Sequence, residues 1–284
     1  MPHAIDFETG SLVSADGTKI GYRKLGSGPG LILVHGGIQA AQNFMRLGKA
    51  LSDKYTVYIP DRRGRATSGG VDTGIGLAAE CGDIRSLVRE TNAQNMFGLS
   101  SGAIISLATA IAEPGLKKLA LYEPPLPIGG IDQTEWNNKY KKAVEEANWG
   151  RAFFTVIKGT ADSSALARIP GFILVPLLNV MIDRQEKKSK PGEASLKQLI
   201  RAFRYDQQIV LDAQNILEKS HLIKSDVLLM GGSKSQAFLK MALDQLQAAL
   251  PMATRKEFAG FGHIEADNSG RPEIIAKELM RFFG

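Results

Sequence analysis

The sequence predicts an α/β fold: a mostly parallel sheet with helices on both faces, into which a helical cap is inserted. Strand-like segments alternate with helical patterns up to residue 126 and again after residue 223, as is typical of parallel sheets covered by helices. Segments such as 31–35 and 95–99 are apolar at almost every position, which indicates strands buried on both faces. We therefore expect a core formed by residues 1–126 and 223–284, and a cap (lid) formed by residues 127–222.

The chain opens with a predicted antiparallel pair of strands, residues 5–13 and 18–25, followed by a glycine-rich turn at 26–30. That turn precedes a strand, whereas a dinucleotide-binding fingerprint precedes a helix, so we do not expect it to bind phosphate. The other core elements are predicted in this order: strand 31–35, helix 40–52, strand 55–60, helix 77–91, strand 95–99, helix 103–112, strand 117–122, strand 226–231, helix 237–250, strand 254–258 and helix 272–283. Because sites in such sheets lie at the C-terminal ends of strands, residues that follow strands are the candidates for function.

Composition and charge disfavour several classes of function. The net charge is +6, but the lysines are scattered among acids and no basic motif with interleaved aromatic residues is present, so we do not expect nucleic-acid binding. Cys81 is the single cysteine, which rules out an intramolecular disulfide and fits a reducing compartment. The N-terminus shows no secretory signal, and the longest apolar stretch, 169–182, contains prolines and is shorter than the ~20 residues of a spanning helix. We expect a cytoplasmic protein without a membrane span, and the oligomeric state stays open.

A serine motif lies at a predicted strand-to-helix junction. Residues 98–102 read Gly-Leu-Ser-Ser-Gly, between strand 95–99 and helix 103–112. The glycines permit a turn too sharp for side chains, so the hydroxyl of Ser100 would stand clear of the sheet. The N-terminus of the helix would favour an anionic intermediate at the same place. This context favours a nucleophilic Ser100 over the alternative, a flexible Gly/Ser loop.

Two further segments complete a pattern around this serine. Residues 31–37, Leu-Ile-Leu-Val-His-Gly-Gly, run from a strand into a glycine pair, and a Gly-Phe-Gly-His segment ends at His263, after the last predicted strand. In this order the chain resembles the α/β-hydrolase superfamily from about Phe7 to its end, least so at 127–222. The turn Asp61-Arg-Arg-Gly-Arg65 is similar to the D-x-R-G turn of that family, and we expect its Asp and Arg to hold loops in place.

The resemblance implies a serine hydrolase that cleaves a carboxylic ester or lactone of a small, fairly apolar molecule through an acyl-enzyme. Ser100 would attack the carbonyl and His263 would act as the base. The backbone N–H groups of Gly37 and Ser101 would form the oxyanion hole, with Ile38 as the alternative to Gly37. No cofactor is implied, and no metal-ligand spacing is present in the sequence. A non-hydrolytic use of the fold stays open: C–C cleavage, cyclisation, perhydrolysis or ligand binding as a receptor.

The acid of the expected triad departs from the commonest family pattern, in which an aspartate follows the strand after the cap. Ser235 occupies that place here, and a serine cannot balance the charge of an imidazolium. Glu123 ends the strand 117–122, at the other position that the superfamily uses, and Pro124 after it favours extended backbone. A buried carboxylate needs a partner, and we expect His263, with an arginine as the alternative. Weaker candidates for the acid are Glu265, Asp267 and Asp226.

The cap is predicted to set substrate specificity. Helical patterns span 133–147, 149–158 and 195–217, and the proline-interrupted apolar segment 169–182 lies between them. That segment suggests a hydrophobic substrate pocket, although it fits the small core of the cap equally well. The candidate pocket residues are Ile38, Trp149, Phe153 and Phe172, with Trp136, Phe154 and Met181 as further candidates in the cap.

Overall fold

The computed structural model describes residues 5–70, 76–127, 134–160 and 169–284. Its strands are β1 (Glu8–Val13), β2 (Lys19–Leu25), β3 (Gly30–Val34), β4 (Thr56–Pro60), β5 (Asn95–Leu99), β6 (Lys118–Tyr122), β7 (Asp226–Gly232) and β8 (Thr254–Phe258). They form one eight-stranded sheet in the order β1-β2-β4-β3-β5-β6-β7-β8. Strand β2 is antiparallel to both of its neighbours, and every other pair is parallel.

Helices connect many of these strands, and one helix follows the last strand. Within the described residues they are α1 (Met45–Leu51), α2 (Leu77–Thr91), α3 (Ser101–Ala112), α4 (Thr134–Glu145), α5 (Trp149–Thr160), α6 (Gly171–Glu186), α7 (Leu196–Asp212), α8 (Ile216–Lys219), α9 (Ala237–Ala249) and α10 (Pro272–Phe283). Short 3-10 turns at Ala41–Phe44 and Ser220–Leu222 precede α1 and follow α8.

Both faces of the sheet are buried, as β3 shows. Successive side chains of a strand point to opposite sides of the sheet. In β3, Leu31 and Leu33 belong to a buried cluster that includes α1 and α10. The alternate residues Ile32 and Val34 belong to a second cluster that includes α2, α3 and α9. The sheet is therefore covered by helices on both sides, and the predicted α/β class is confirmed.

The helical insert lies between β6 and β7. Its helix α6 passes through the segment predicted as proline-interrupted, with Pro176 inside the helix. The buried face of α6 consists of Leu174, Leu178 and Ile182, spaced one turn apart, in the apolar cluster of the cap. Helix α7 ends at Asp212, so the predicted helix 195–217 is in fact two helices. Residue 133, where the first cap helix was predicted to begin, lies outside the described residues, and the boundaries at 127 and 222 stay a prediction.

The described residues contain no cluster of three or more His, Cys, Asp or Glu side chains able to hold a metal ion. In the same ranges no helix combines the length and hydrophobicity needed to cross a bilayer. The single cysteine, Cys81, is free and buried on α2, where the hydroxyl of Thr109 on α3 lies 3.7 Å from its sulfur.

Candidate active site

Ser100 lies at the junction of β5 and α3, on a backbone that most residues avoid. Its φ is 56° and its ψ is −126°. The two glycines of the motif allow this turn, because a side chain at Gly98 would overlap Ser106 and the carbonyl oxygen of Gly102. A side chain at Gly102 would in turn overlap the carbonyl oxygens of Val34 and His35, at the end of β3. The motif thus brings the serine turn against the loop that follows β3.

The loop after β3 contains the predicted glycine pair. The N–H of Gly36 donates to Oε1 of Gln39, 2.8 Å away. The N–H groups of Gly37, Ile38 and Ser101 donate to no other residue in the described ranges. These three donors, at the C-terminal edge of the sheet, are free to bind an anion.

His263 and Glu123 contact each other directly. Nδ1 of His263 lies 2.7 Å from Oε2 of Glu123, and the second carboxylate oxygen, Oε1, accepts a hydrogen bond of 2.6 Å from the N–H of Gly232. Glu123 is fully buried, whereas the side chain of His263 is 27% exposed. The carboxylate therefore fixes one nitrogen of the ring and leaves the other, Nε2, for a different partner.

The backbone of Glu123 corrects one expectation. Pro124 was expected to favour extended backbone at Glu123, yet the φ of Glu123 is +47°, in the left-handed region that non-glycine residues rarely occupy. The surroundings outweigh the local preference, since both carboxylate oxygens have partners on other elements. Gly231 helps, because a side chain there would come within 3.0 Å of Oε1 of Glu123.

The weaker candidates for the acid have other partners. Glu265 pairs with Arg271 at 2.9 Å, and Asp267 accepts hydrogen bonds from Gln39 and Asn43. Asp226 opens β7 beside Lys118, at the N-terminal edge of the sheet. Ser235, at the commoner position of the acid, has a buried hydroxyl without a hydrogen-bond partner in the described residues.

The turn at 61–65 is almost wholly buried and holds loops together, as expected. The carboxylate of Asp61 accepts hydrogen bonds from the N–H of Ala41 and the hydroxyl of Thr67. Burial raises the pKa of Asp61 above its ordinary value, although these hydrogen bonds oppose the rise. Arg63 forms a bidentate ion pair with Asp83: Nε donates to Oδ2 at 2.6 Å and Nη2 donates to Oδ1 at 2.7 Å.

A second ion cluster lies deeper, around the first arginine of that turn. Arg62 pairs with Glu80 at 2.6 Å and lies 2.8 Å from Asp206 of α7, and Arg65 pairs with Asp206 at 2.6 Å. Burial alone would raise the pKa of Asp206, but Arg65 and Arg62 hold it below its ordinary value. Asp206 is therefore ionised at neutral pH, and its charge is compensated.

His35 is structural, as its place in the loop suggests. Its ring is fully buried, with Nδ1 3.0 Å from the carbonyl oxygen of Gly36. Burial, together with the charges of Arg62 and Arg65, holds the pKa of His35 well below its ordinary value. The imidazole is neutral in the folded protein.

Two cavities meet at Ser100. Both are lined by Ser100, His263, Gly37 and Phe203. The first, which we call the wide cavity, has a volume of about 440 Å³, and its apolar wall includes Ile38, Phe153, Val156, Ile157, Leu196 and Ile264. The second, the narrow cavity, has a volume of about 80 Å³, and its wall includes Trp136, Val210, Phe238, Leu239, Asp206 and Gln207.

The structure separates the predicted pocket residues into two groups. Ile38 and Phe153 line the wide cavity, whereas, contrary to expectation, Trp149 and Phe172 line neither of these two cavities. Phe172 is 80% exposed, because it precedes the inward-facing Leu174 by two residues, roughly 200° around the helix. It lines a separate groove on the outside of the cap. Trp149 packs in the apolar cluster of the cap.

Sequence reasoning missed the contribution of α7. Phe203, Asp206 and Gln207 all line the narrow cavity, although the helix was assigned only to the cap. Leu199, Phe203, Asp206 and Val210 recur at helical spacing on one side of α7. A carboxylate at a position of that apolar stripe was the signal that could have identified Asp206.

Comparisons with known proteins agree with this architecture. Residues 29–265 match the family described as alpha/beta hydrolase fold. The Uncharacterized hydrolase YraK of Bacillus subtilis (strain 168) is 38% identical over 133 residues, 45% of this chain and 48% of that protein, so this chain spans about half the length of that relative. Pimeloyl-[acyl-carrier protein] methyl ester esterase of Stenotrophomonas maltophilia (strain K279a) is 24% identical over 259 residues, 90% of this chain and 93% of the esterase.

A similar architecture is found among solved structures. An alpha/beta hydrolase from Sphaerobacter thermophilus DSM 20745 has a TM-score of 0.77 and 23% identity, with 97% of this chain and 100% of that chain covered. At that identity the likeness concerns the fold. Together with the family match, it shows that the chain belongs to the α/β-hydrolase family.

Proposed function

We propose that the protein is a serine hydrolase that cleaves a carboxylic ester or lactone of a fairly apolar small molecule. The observation that carries the proposal is the convergence of Ser100 and His263 on the same two cavities. His263 is held at Nδ1 by a buried carboxylate, that of Glu123. A nucleophile, a base and a group that orients the base are the parts that nucleophilic catalysis needs.

In the proposed mechanism, Ser100 attacks the carbonyl carbon while His263 takes the hydroxyl proton. The carboxylate of Glu123 keeps the other ring proton on Nδ1 and stabilises the imidazolium that forms. The oxyanion accepts hydrogen bonds from Ser101 N–H and from Gly37 N–H, or from Ile38 N–H in its place. His263 then gives its proton to the leaving alkoxide, and water hydrolyses the acyl-enzyme in the same way.

The two cavities suggest an asymmetric substrate. A water molecule needs about 10–15 Å³ in this measure of volume, so the narrow cavity of about 80 Å³ admits only a small group. The wide cavity of about 440 Å³ accepts a larger apolar group. The relative that acts on a methyl ester fits this division. We therefore propose esters with one short and one longer apolar side, and lactones of similar size.

Labelling and kinetics of Ser100 variants test the proposal. A fluorophosphonate probe should modify Ser100 and not Ser101, and Ser100→Ala should lower kcat on p-nitrophenyl esters or lactones by roughly 10⁴ to 10⁶. Ser235→Ala is the matched control, because Ser235 is also a buried serine but lines neither cavity. A label on another residue would end the proposal. A label on Ser100 without turnover of any ester or lactone would favour a non-hydrolytic reaction.

A further inference from the structure

Asp206 lies against both halves of the expected oxyanion hole. It belongs to helix α7 of the insert, yet a side chain built at Gly37 would come within 3.3 Å of its Cγ atom. On the other side, Oδ1 of Asp206 accepts a hydrogen bond of 2.7 Å from the hydroxyl of Ser101. Asp206 also lines the narrow cavity with Ser100. One buried carboxylate thus hydrogen-bonds to Ser101 and lies close to Gly37, two of the residues that carry the free N–H donors.

Arg62 connects the same two loops from behind. Its Nη1 donates to the carbonyl oxygen of His35 and to the hydroxyl of Ser101, both at 3.1 Å. The same nitrogen lies 2.8 Å from Oδ1 of Asp206. The hydroxyl of Ser101 therefore donates to Asp206 and accepts from Arg62, which fixes the first residue of α3 on both sides.

The charges of this group decide whether it can lie beside an oxyanion. A lone carboxylate near the oxyanion hole would repel the negative charge that develops there. Arg65 pairs with Asp206, and Arg62 lies between Asp206 and Glu80. The positive charges of the two arginines thus match the negative charges of the two carboxylates. The group is neutral as a whole, so the carboxylate can hold Ser101 without opposing the oxyanion.

We infer that Asp206 is a positioning residue, which with Arg62 holds the N–H groups of Ser101 and Gly37 at the spacing an oxyanion requires. The inference rests on the proposed function, and it assigns to the inserted helix α7 a part of the catalytic geometry. Removal of the carboxylate acts on the transition state, where the oxyanion exists, and only weakly on the bound ester.

Kinetics of single and double variants of the 284-residue chain test this role. Asp206→Asn and Ser101→Ala should each lower kcat roughly 10- to 30-fold, below the ~10² to 10³ for complete loss of a donor, with KM changed less than threefold. Both changes break the same contact, so their effects should not multiply. The kcat of the double variant should therefore be at most about threefold lower than that of the slower single variant. An alkyl boronic acid, which forms a tetrahedral adduct with Ser100, should bind the variants more weakly than wild type. The rank order of these affinities should follow the rank order of the kcat values.

Asp83→Asn is the matched control. Asp83 is also a buried aspartate paired with an arginine of the 61–65 turn, but it does not touch Ser101 or Gly37. Its replacement should lower the free energy of unfolding while kcat of the folded enzyme stays within twofold of wild type. A purely structural role for Asp206 predicts this same result for Asp206→Asn.

The outcomes separate this inference from the proposed function. Unchanged kcat in folded Asp206→Asn or in Ser101→Ala overturns the inference, and so does a double variant whose loss is the product of the two single losses. Should Asp206→Asn not fold, Ser101→Ala decides alone, because it removes the hydrogen bond and leaves the ion pairs in place. Activity that survives Ser100→Ala would overturn the proposed function itself.

Discussion

Glu123 combines an unfavourable backbone with two strong contacts. A φ of +47° at a non-glycine residue costs of order 1–3 kcal/mol, and such residues persist where the surroundings hold them. Here the N–H of Gly232 and Nδ1 of His263 hold the carboxylate. Glycine at this position would relax the backbone but would remove the carboxylate that contacts His263, the contact on which the proposed mechanism depends.

We expect Glu123→Gln to lower kcat by roughly 10² to 10⁴ with the fold retained, since the amide cannot balance the imidazolium charge. Steady-state kinetics and circular dichroism measure the two effects. Ser235→Ala should cost less than tenfold, and Ser235→Asp should partly rescue Glu123→Gln by restoring a carboxylate at the commoner position of the family. A Glu123→Gln enzyme with wild-type kcat would show that another group orients the histidine.

The helices of the cap differ in what they contribute. Helix α5 directs Phe153, Val156 and Ile157 at the wide cavity, whereas α6 buries Leu174 and its neighbours one turn apart and leaves Phe172 outside. Hydrophobicity alone therefore does not predict which cap residues line the wide cavity. In the proposed enzyme, the helix face that lines the wide cavity decides which cap residues would contact substrate.

Replacement of wall residues in α5 should change specificity. Phe153→Ala or Ile157→Ala should alter kcat/KM for long relative to short acyl chains by about 10-fold, because each removes apolar contact in the wide cavity. Phe172→Ala is the control from the same cap, and it should leave this ratio within twofold. Competition between esters of different chain length measures the ratio. Equal loss on every ester in the α5 variants would mean that these side chains only support the cap.

The core elements follow from local patterns, and the site follows from them only in part. Helices 77–91 and 272–283 have the predicted bounds, because their apolar periodicity and flanking breakers are local signals. Ser100 and His263 were also predicted from local motifs. Asp206 accepts a hydrogen bond from the hydroxyl of Ser101, which lies 105 residues earlier in the chain. No local pattern encodes that contact. Pro124 gave a local signal for extended backbone at Glu123 that contacts from distant elements outweigh.

For the molecule as a whole, the neutral, buried His35 links stability to pH. Its pKa is well below the ordinary value in the folded state but close to ~6.5 in the unfolded chain. Below that pH the unfolded chain binds a proton that the folded protein does not. The contribution of His35 to stability is therefore complete above about pH 6.5 and is lost as the pH falls toward the folded-state pKa.

Urea unfolding at pH 7 and pH 5 checks this linkage. Wild type should be less stable at pH 5, and the difference between the two pH values should shrink in His35→Gln, which has no group to titrate there. The exposed His221 offers a control, since His221→Gln should keep the wild-type difference. An equal pH dependence in wild type and His35→Gln would mean that other groups cause it.

The order of strands has a consequence for synthesis of the protein. After β4 has been inserted between β2 and β3, each later strand, from β5 to β8, is added at one edge of the sheet in the order in which it leaves the ribosome. The nascent chain can thus extend its sheet without reopening paired strands. Ser100 and Glu123 follow β5 and β6, whereas His263 follows β8, 140 residues after Glu123. In the proposed enzyme, Ser100 is therefore synthesised long before its base, and the proposed triad can assemble only after β8 has joined the sheet.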